Sequence, residues 1–518
     1  MKSLFPRLKE VGHMFTHNFS KVLVANRGEI ALRVQQTLQA MGIRTIAVYS
    51  EPDSSAPHVA MSDEAYPLPG STAEETYLDI DKHIAIAHQH GAEAIHPGYG
   101  FLSESPQFAR ACREAGIVFI GPSPESMAAL GDKVRSKELA RQANVPVVPS
   151  SSVCEPTGEE AKGFGADLGY PLLVKAAAGG GGRGMRLVTD PTDLAPAMES
   201  AQREAAAAFG DGRVFLESYI PRPRHVEFQI LADHHGHVIH LMERECSIQR
   251  RHQKIIEETP SPVLTPQLRQ QMGEAAIAVA RAAGYQNAGT AEFLLDEESG
   301  QFYFLEMNTR LQVEHPITEA VLGLDLVEWQ VRIAAGEPLT LEQEDLRSSG
   351  HAVECRVYAE DPYNNFAPSA GKLTHWLPPS GPGLRLDSGV AQGQEISTYY
   401  DPMLAKLIAW GPDRPTSLRR MELALGHFPV LGLVTNIPFL REIIRHPHFQ
   451  NGQYDITFLE NTPAVTQSRR PEETRQLANA LAAWAWDSDD VTGPGQTSGS
   501  REAVPDSPWR AAGPRQFP

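Results

Sequence analysis

The sequence predicts two fold classes in one chain, a parallel α/β sheet followed by an α+β region, with a glycine-rich hairpin between them. Three observations predict this. Strands and helices alternate through residues 22–120, the order that builds a parallel sheet. Residues 170–188, YPLLVKAAAGGGGRGMRLV, read as strand, glycine loop, strand. From about 220 to 460, apolar strands such as RHVEFQILAD and HAVECRVYAED recur, separated by helices.

In chain order, KVLVANRGEIALRVQQTLQAMGIRTIAVYSEPD gives a strand at 22–25, a helix at 28–41 and a strand at 44–49. AEAIHPGYG and GIVFIGP supply two more short strands, preceded by the helices YLDIDKHIAIAHQHG and PQFARACREAG. Gly28 stands without the G-x-G-x-x-G pattern of a dinucleotide fingerprint, which speaks against a nicotinamide enzyme. GDKVRSKELARQANVPVVPS reads as a linking helix. Residues 471–486 read as a last helix, opening with Pro471 and acidic residues. The remainder is rich in Gly, Pro and Ser and is expected to be disordered.

The chain has 518 residues, room for about three domains of ~150. A net charge of −18 argues against non-specific nucleic-acid binding and requires any anion site to be a local basic cluster. The four cysteines lack zinc-type spacing and read as reduced thiols of a cytoplasmic-type compartment. No apolar run approaches the ~18–20 residues of a membrane span. The first residues contain Glu10 and lack an apolar core; they read as an extension, or as a start placed upstream of Met14.

The most informative stretch is FYFLEMNTRLQVEHP, 302–316, where every second residue from Glu306 is polar: Glu306, Asn308, Arg310, Gln312 and Glu314. In an extended chain these five share a face. A solvated strand face would also alternate, but this row sets acceptors at one end, a bidentate cation in the middle and an acid at the far end. Upstream, the strands at about 290–296 and 301–307 flank the turn EESG. An antiparallel hairpin centred near Ser299 sets Glu292 opposite Glu306, Cβ atoms ~5 Å apart. Like charges so placed repel, and a hard divalent cation, Mg²⁺ or Mn²⁺, resolves the conflict, with Asn308 adding a carbonyl oxygen. The alternatives are a solvated edge pair or a slipped register.

The four consecutive glycines 179–182 after LLVK are costly to order, and their bare N–H groups can close over phosphate oxygens. No GK[ST] follows, so this is not a Walker loop; a loose surface turn is the other reading. Lys175 ends the preceding strand and is a candidate phosphate contact. SIQRRHQKIIEE clusters Arg250, Arg251, His252 and Lys254, either as an anion site or as an exposed face paired with Glu257 and Glu258. Arg356 lies in an apolar strand beside Glu354, a functional cation or a buried structural ion pair.

Together VANRGEIA, IHPGYGFLSE, GDK, KAAAGGGGRGMR, RHVEFQ, CSIQRRHQK, EMNTRLQVEHP, GHAVECR and YYDPMLAKLI resemble the biotin carboxylase component of biotin-dependent carboxylases, in order from Lys21 to Glu460. The resemblance implies an ATP-grasp fold: an N-terminal α/β domain at 18–132, a linker helix at 133–147, a mobile lid at 148–219, an ATP-grasp lobe at 220–352, a C-terminal domain at 353–462, and a helix with its tail at 463–518. It implies phosphorylation of bicarbonate by ATP to carboxyphosphate and carboxylation of biotin N1′ on a carrier protein. Carried over by position, Lys133, Lys175, Gly181, Gly182, His225 and His252 would hold ATP. Glu217, Ser218, Tyr219 and Ile220 would line the adenine hinge, and Glu292, Glu306 and Asn308 would bind Mg²⁺ or Mn²⁺. Lys254, Arg310, Gln312 and the Val313 backbone would hold bicarbonate. Glu314 would be the general base, and Arg356 would bind biotin and stabilise its enolate.

Two departures from the family pattern, Ala178 at the start of the glycine loop and Ser218 at a position that is often basic, remove no catalytic group. No AMKM-like biotinylation motif follows, so the carrier and the carboxyltransferase are expected as separate chains, and the family suggests a homodimer. The final DSPWRAAGPRQFP faintly resembles the segment opening the next domain of longer acyl-CoA carboxylase α-chains. The expected activity is the first half-reaction of acetyl-CoA or a related acyl-CoA carboxylase. The competing readings are another ATP-grasp ligase, or a catalytically silent chain that only assembles a carboxylase complex, which an eroded site would favour.

Overall fold

The structure, a computed structural model, describes residues 19–154, 159–177 and 185–466. The N-terminal extension, the glycines at 179–182, the helix expected at 471–486 and the tail lie outside these residues.

The first sheet is parallel throughout. Its strands are β1 (Lys21–Val24), β2 (Arg44–Tyr49), β3 (Glu64–Pro67), β4 (Ala94–His96) and β5 (Val118–Phe119), ordered β3-β2-β1-β4-β5. Val22, Leu23 and Val24 are fully buried, as strands with both faces covered require. Helix α1 (Gly28–Ala40) turns Ile30, Ala31, Val34 and Leu38 inward, the spacing of one helical face. Gly42 ends the turn into β2 at φ +77, a left-handed conformation that suits glycine. Strand β3 was not foreseen: EAYP is short, and Pro67 removes a ladder donor, so it sits at the sheet edge.

The linking helix spans Lys133–Gln142, and Asp132 caps it by accepting from the Val134 and Arg135 N–H groups, both at 3.0 Å. A second sheet of its own follows, made of β6 (Ser150–Val153), β7 (Leu172–Ala176), β8 (Arg186–Val188) and β9 (Val214–Ser218). Its order is β6-β9-β7-β8, and β7 pairs antiparallel with β8, the expected hairpin.

The third sheet places the site. Its eight strands run β14-β13-β10-β11-β12-β15 and then Met403–Gly411 and Leu384–Ser388, each pair antiparallel. Here β10 is Arg224–Ala232, β11 Val238–Arg250, β12 Gln253–Thr259, β13 Asn287–Leu295, β14 Phe302–Asn308 and β15 His351–Tyr358. The sequence suggested strands separated by helices; pairing joins them into one continuous sheet. Every residue of β10 and β15 is buried, and Phe228, Phe293 and Phe304 pack edge to face on one side of the hairpin end.

Candidate functional site

The hairpin β13–β14 sets Glu292 directly opposite Glu306, and Thr290 opposite Asn308. The turn itself is shorter than a hairpin centred on Ser299, since Leu295 pairs with Phe302. A bulge between Glu292 and Phe293 restores the expected pairing beyond it. The row continues across the sheet, because Glu227 on β10 pairs with Glu292 and Arg244 on β11 pairs with Glu227. Four charged residues from four strands thus share one rung.

The chain stays extended through Asn308 and no further, which corrects the expectation of an extended row to Glu314. Glu104, from the loop after β4, accepts from the Thr309 N–H at 3.0 Å and from Arg310 Nε at 2.9 Å and turns the segment there. Residues 313–314 form a turn into the helix His315–Leu322, with Glu314 at its cap. The five residues still converge, by this clip instead of by strand periodicity.

Glu306, Asn308, Arg310 and Gln312 border a cleft of about 640 Å³. Of the expected site residues, Lys133, Lys175, Glu217, Ser218, Tyr219, Ile220, His225, His252, Lys254, Glu292, Glu306, Asn308, Arg310, Gln312, Val313 and Arg356 line it. Glu314 lies beneath its floor with no exposed surface. Gly181 and Gly182 fall outside the described residues.

Lys133 Nζ approaches Glu306 at 3.4 Å from the first turn of its helix. Glu292 accepts from Lys254 at 2.9 Å and from Asn308 Nδ2 at 2.8 Å, with His225 Nε2 at 3.2 Å, an ion-pair distance without hydrogen-bond geometry. Burial alone would raise the Glu292 carboxyl, but Lys254 and His225 hold it far below the usual range. The donor set fits a hard cation: two carboxylates on paired strands, and an Asn308 Oδ1 whose contact is a long 3.4 Å from Arg310. Glu217 faces the cleft, yet its carboxylate is taken by Lys137 and Lys175. Burial, with Lys133 nearby, pulls the Lys175 amine down to about 7.

Lys254 Nζ sits among three carboxylates, at 2.5 Å from Glu227, 2.9 Å from Glu292 and 2.7 Å from Glu314. Two acid groups close enough to hold a metal, His225–Glu227–Glu292 and Glu227–Cys246–Glu314, both border this ammonium, which already supplies their positive charge. Arg310 also donates to Gln312 Oε1 at 3.0 Å, while the buried Gln312 Nε2 has no partner among the described residues and can meet an anion. Arg356 donates to Glu257 at 2.6 Å and to Glu314 Oε2 at 3.0 Å, so its buried partners are these and not Glu354. Burial opposes charge on Glu314, but Lys254, Arg356 and Arg244 outweigh it and hold the carboxyl well below its ordinary range. Burial also pushes Glu257 up to about 7, against the pull of Arg356.

The basic cluster divides. Arg250 pairs with Glu360 at 2.7 Å and stacks on Phe366, Arg251 and His252 form the β11–β12 turn, and Lys254 enters the site. Glu258 goes elsewhere, to Arg414 and His351. Sequence reasoning missed Glu104, Glu227, Arg244 and Glu257. Glu227 could have been found, since His225, Glu227 and Gln229 alternate with Val226, Phe228 and Ile230 as the residues of 306–314 do. Glu104 has no local signal, because a loop contact of this range depends on the fold.

The chain is similar to known proteins over most of its length. Family models match in three consecutive blocks: "Biotin carboxylase, N-terminal domain" over 18–127, "Carbamoyl-phosphate synthase L chain, ATP binding domain" over 132–342, and "Biotin carboxylase C-terminal domain" over 354–461. The biotin carboxylase of a Nostoc species is 51% identical over 442 residues, 85% of this chain and 99% of that protein. One of the subunits of pyruvate carboxylase from Methanothermobacter thermautotrophicus is also 51% identical over 442 residues, 85% of this chain and 90% of its own. The solved biotin carboxylase domain dimer of Hydrogenobacter thermophilus 2-oxoglutarate carboxylase, with MgADP, ADP and bicarbonate, superposes at a TM-score of 0.84. It is 48% identical, and the match covers 87% of this chain and 99% of that one.

Proposed function

Since the chain belongs to the biotin carboxylase family, we infer that it is an ATP-dependent ligase carboxylating biotin on a carrier protein from bicarbonate and ATP. The fold is accordingly an ATP-grasp fold, with a parallel sheet ahead of it. The observation carrying the assignment of roles is the Lys254–Glu314–Arg356 cluster, joined through Lys254 to Glu292 in the cleft that Glu306 and Asn308 also line.

Glu292, Glu306 and the Asn308 carbonyl oxygen would hold Mg²⁺, or Mn²⁺ in its place. When bound, the cation neutralises phosphate charge. Lys133, Lys175, His225, His252 and the glycine loop hold ATP, residues 217–220 border its base, and the segment 148–219 acts as the lid. Lys254, Arg310, Gln312 and the Val313 backbone fix bicarbonate, Arg310 through its planar fork. Glu314 takes the bicarbonate proton, a bicarbonate oxygen attacks the γ-phosphorus of ATP, and the bond from that phosphorus to ADP breaks, giving carboxyphosphate and free ADP. Glu314 is enclosed and held in the ionised form, so it can accept a proton, while the charges of Lys254 and Arg356 lower its basicity. Carboxyphosphate then yields CO₂ and phosphate, the phosphate takes the N1′ proton of biotin, and N1′ attacks the CO₂ while Arg356 steadies the negative charge on the ureido oxygen.

The carrier and the carboxyltransferase are separate chains in this reading, and the Methanothermobacter relative is likewise named a subunit of pyruvate carboxylase. The final acceptor, acetyl-CoA or another acyl-CoA, is chosen by the transferase. A homodimer, a role in fatty acid biosynthesis and a cytoplasmic location fit the same reading. No helix among the described residues is long and apolar enough to cross a membrane, and the four cysteines are buried thiols. The test is ADP release: bicarbonate and biotin should each stimulate it, and Glu314→Gln should abolish the stimulation. ADP release indifferent to both would refute the assignment.

A further inference from the structure

Lys406 has no exposed surface and lies in the strand Met403–Gly411, paired with Arg356 across the ladder. Its ammonium donates to the Val313 carbonyl oxygen at 3.0 Å. The Glu29 carboxylate stands 3.2 Å away, Asp387 3.8 Å, and the Tyr99 ring centre 5.5 Å. A buried ion pair is weak ground for stability, because taking both charges out of water costs several kcal/mol. What such an ammonium supplies here is direction. The peptide whose oxygen it holds joins Val313, which lines the cleft, to Glu314. That peptide is planar, so fixing its oxygen fixes the plane from which the Glu314 Cα departs.

The support behind Lys406 comes from the opposite end of the chain. Glu29 is in the first turn of α1, which contributes no residue to the cleft lining. Gly389 lets it come close, since a Cβ on Gly389 would stand 2.3 Å from the Glu29 nitrogen. One turn further along α1, Arg33 pairs with Glu319 at 2.7 Å on the helix that Glu314 caps, and Arg385 ties Glu319 to Asp387. The Val313–Glu314 peptide is therefore braced from behind by a joint between α1 and the last strands of the large sheet.

We propose that Lys406, anchored by Glu29 and Asp387, is a positioning residue that holds the Val313–Glu314 peptide in the conformation that receives bicarbonate. This rests on the assignment of Val313 and Glu314 to bicarbonate. The experiment is steady-state ADP formation by the full chain, with bicarbonate and ATP varied separately, in wild type, Lys406→Met and Glu29→Gln. Lys406→Met should raise the bicarbonate KM by about tenfold or more while the ATP KM changes by less than about twofold. Glu29→Gln is nearly isosteric, so the packing around α1 is kept. It should shift the bicarbonate KM in the same direction by a smaller factor. A folded Lys406→Met with an unchanged bicarbonate KM, or with both KM values rising together, overturns the proposal. If Lys406→Met does not fold, Glu29→Gln with an unchanged bicarbonate KM does the same. Wild-type ADP formation indifferent to bicarbonate would instead refute the functional assignment beneath it.

Discussion

Glu314 stands at the cap of a helix but gives that helix no side-chain bond, and its carboxylate is turned to Lys254 and Arg356. A capping acid with no other task would satisfy the first turn. Glu314→Gln keeps the shape and loses the proton acceptor. We expect bicarbonate-dependent kcat to fall ~10²–10⁴-fold with little change in the ATP KM, measured by initial rates. Because the Glu314 carboxyl is held well below its ordinary range, it stays ionised throughout the neutral and mildly acid range. Arg310→Lys should raise the bicarbonate KM by about tenfold, since one ammonium cannot reproduce a planar fork that also serves Glu104 and Gln312.

At the scale of elements, the rung Arg244–Glu227–Glu292–Glu306 depends on pairing across four strands. Glu306→Gln removes one anionic ligand from the end of that rung and should raise the Mg²⁺ concentration for half-maximal activity by about tenfold or more, read from a magnesium titration. The pairing of Glu292 with Glu306 was expected from the two apolar strands around a glycine turn. The turn is one residue shorter than expected, however, and it takes the bulge between Glu292 and Phe293 to set the two opposite each other. Glu227 and Arg244 come from strands whose partners are distant in sequence, and no local pattern names a partner across such a gap. The Thr309–Glu104 clip was illegible for the same reason, and so the row from Arg310 to Glu314 was expected to run straight. The parallel sheet was readable almost strand by strand from alternation with helices, except β3, whose short EAYP carries too little pattern.

Across the whole molecule, Glu258 ties β12 to later parts of the chain, accepting from Arg414 at 2.6 Å and from Tyr454, with His351 at 3.0 Å. Burial would raise its carboxyl, but His351 and Arg414 lower it from 4.5 to about 2. A carboxyl whose folded pKa is depressed contributes stability that is fully present above its unfolded value and is lost as pH falls through the folded one. Glu258 should therefore contribute on the order of 3 kcal/mol at neutral pH, shed between pH 4.5 and 2. Glu258→Gln should lower the denaturation midpoint at pH 7 and flatten its fall in that window, as followed by circular dichroism.

The most direct measurement is the fate of labelled bicarbonate carbon. Incubated with ATP, Mg²⁺ and a biotinylated carrier domain, the chain should transfer that carbon to biotin N1′, with one ADP released for each carboxyl gained, as read by intact-protein mass spectrometry. Wild type should do so and Glu314→Gln should not. A carrier that stays unlabelled while ADP accumulates, or labelling that survives the loss of the Glu314 carboxylate, would contradict the account.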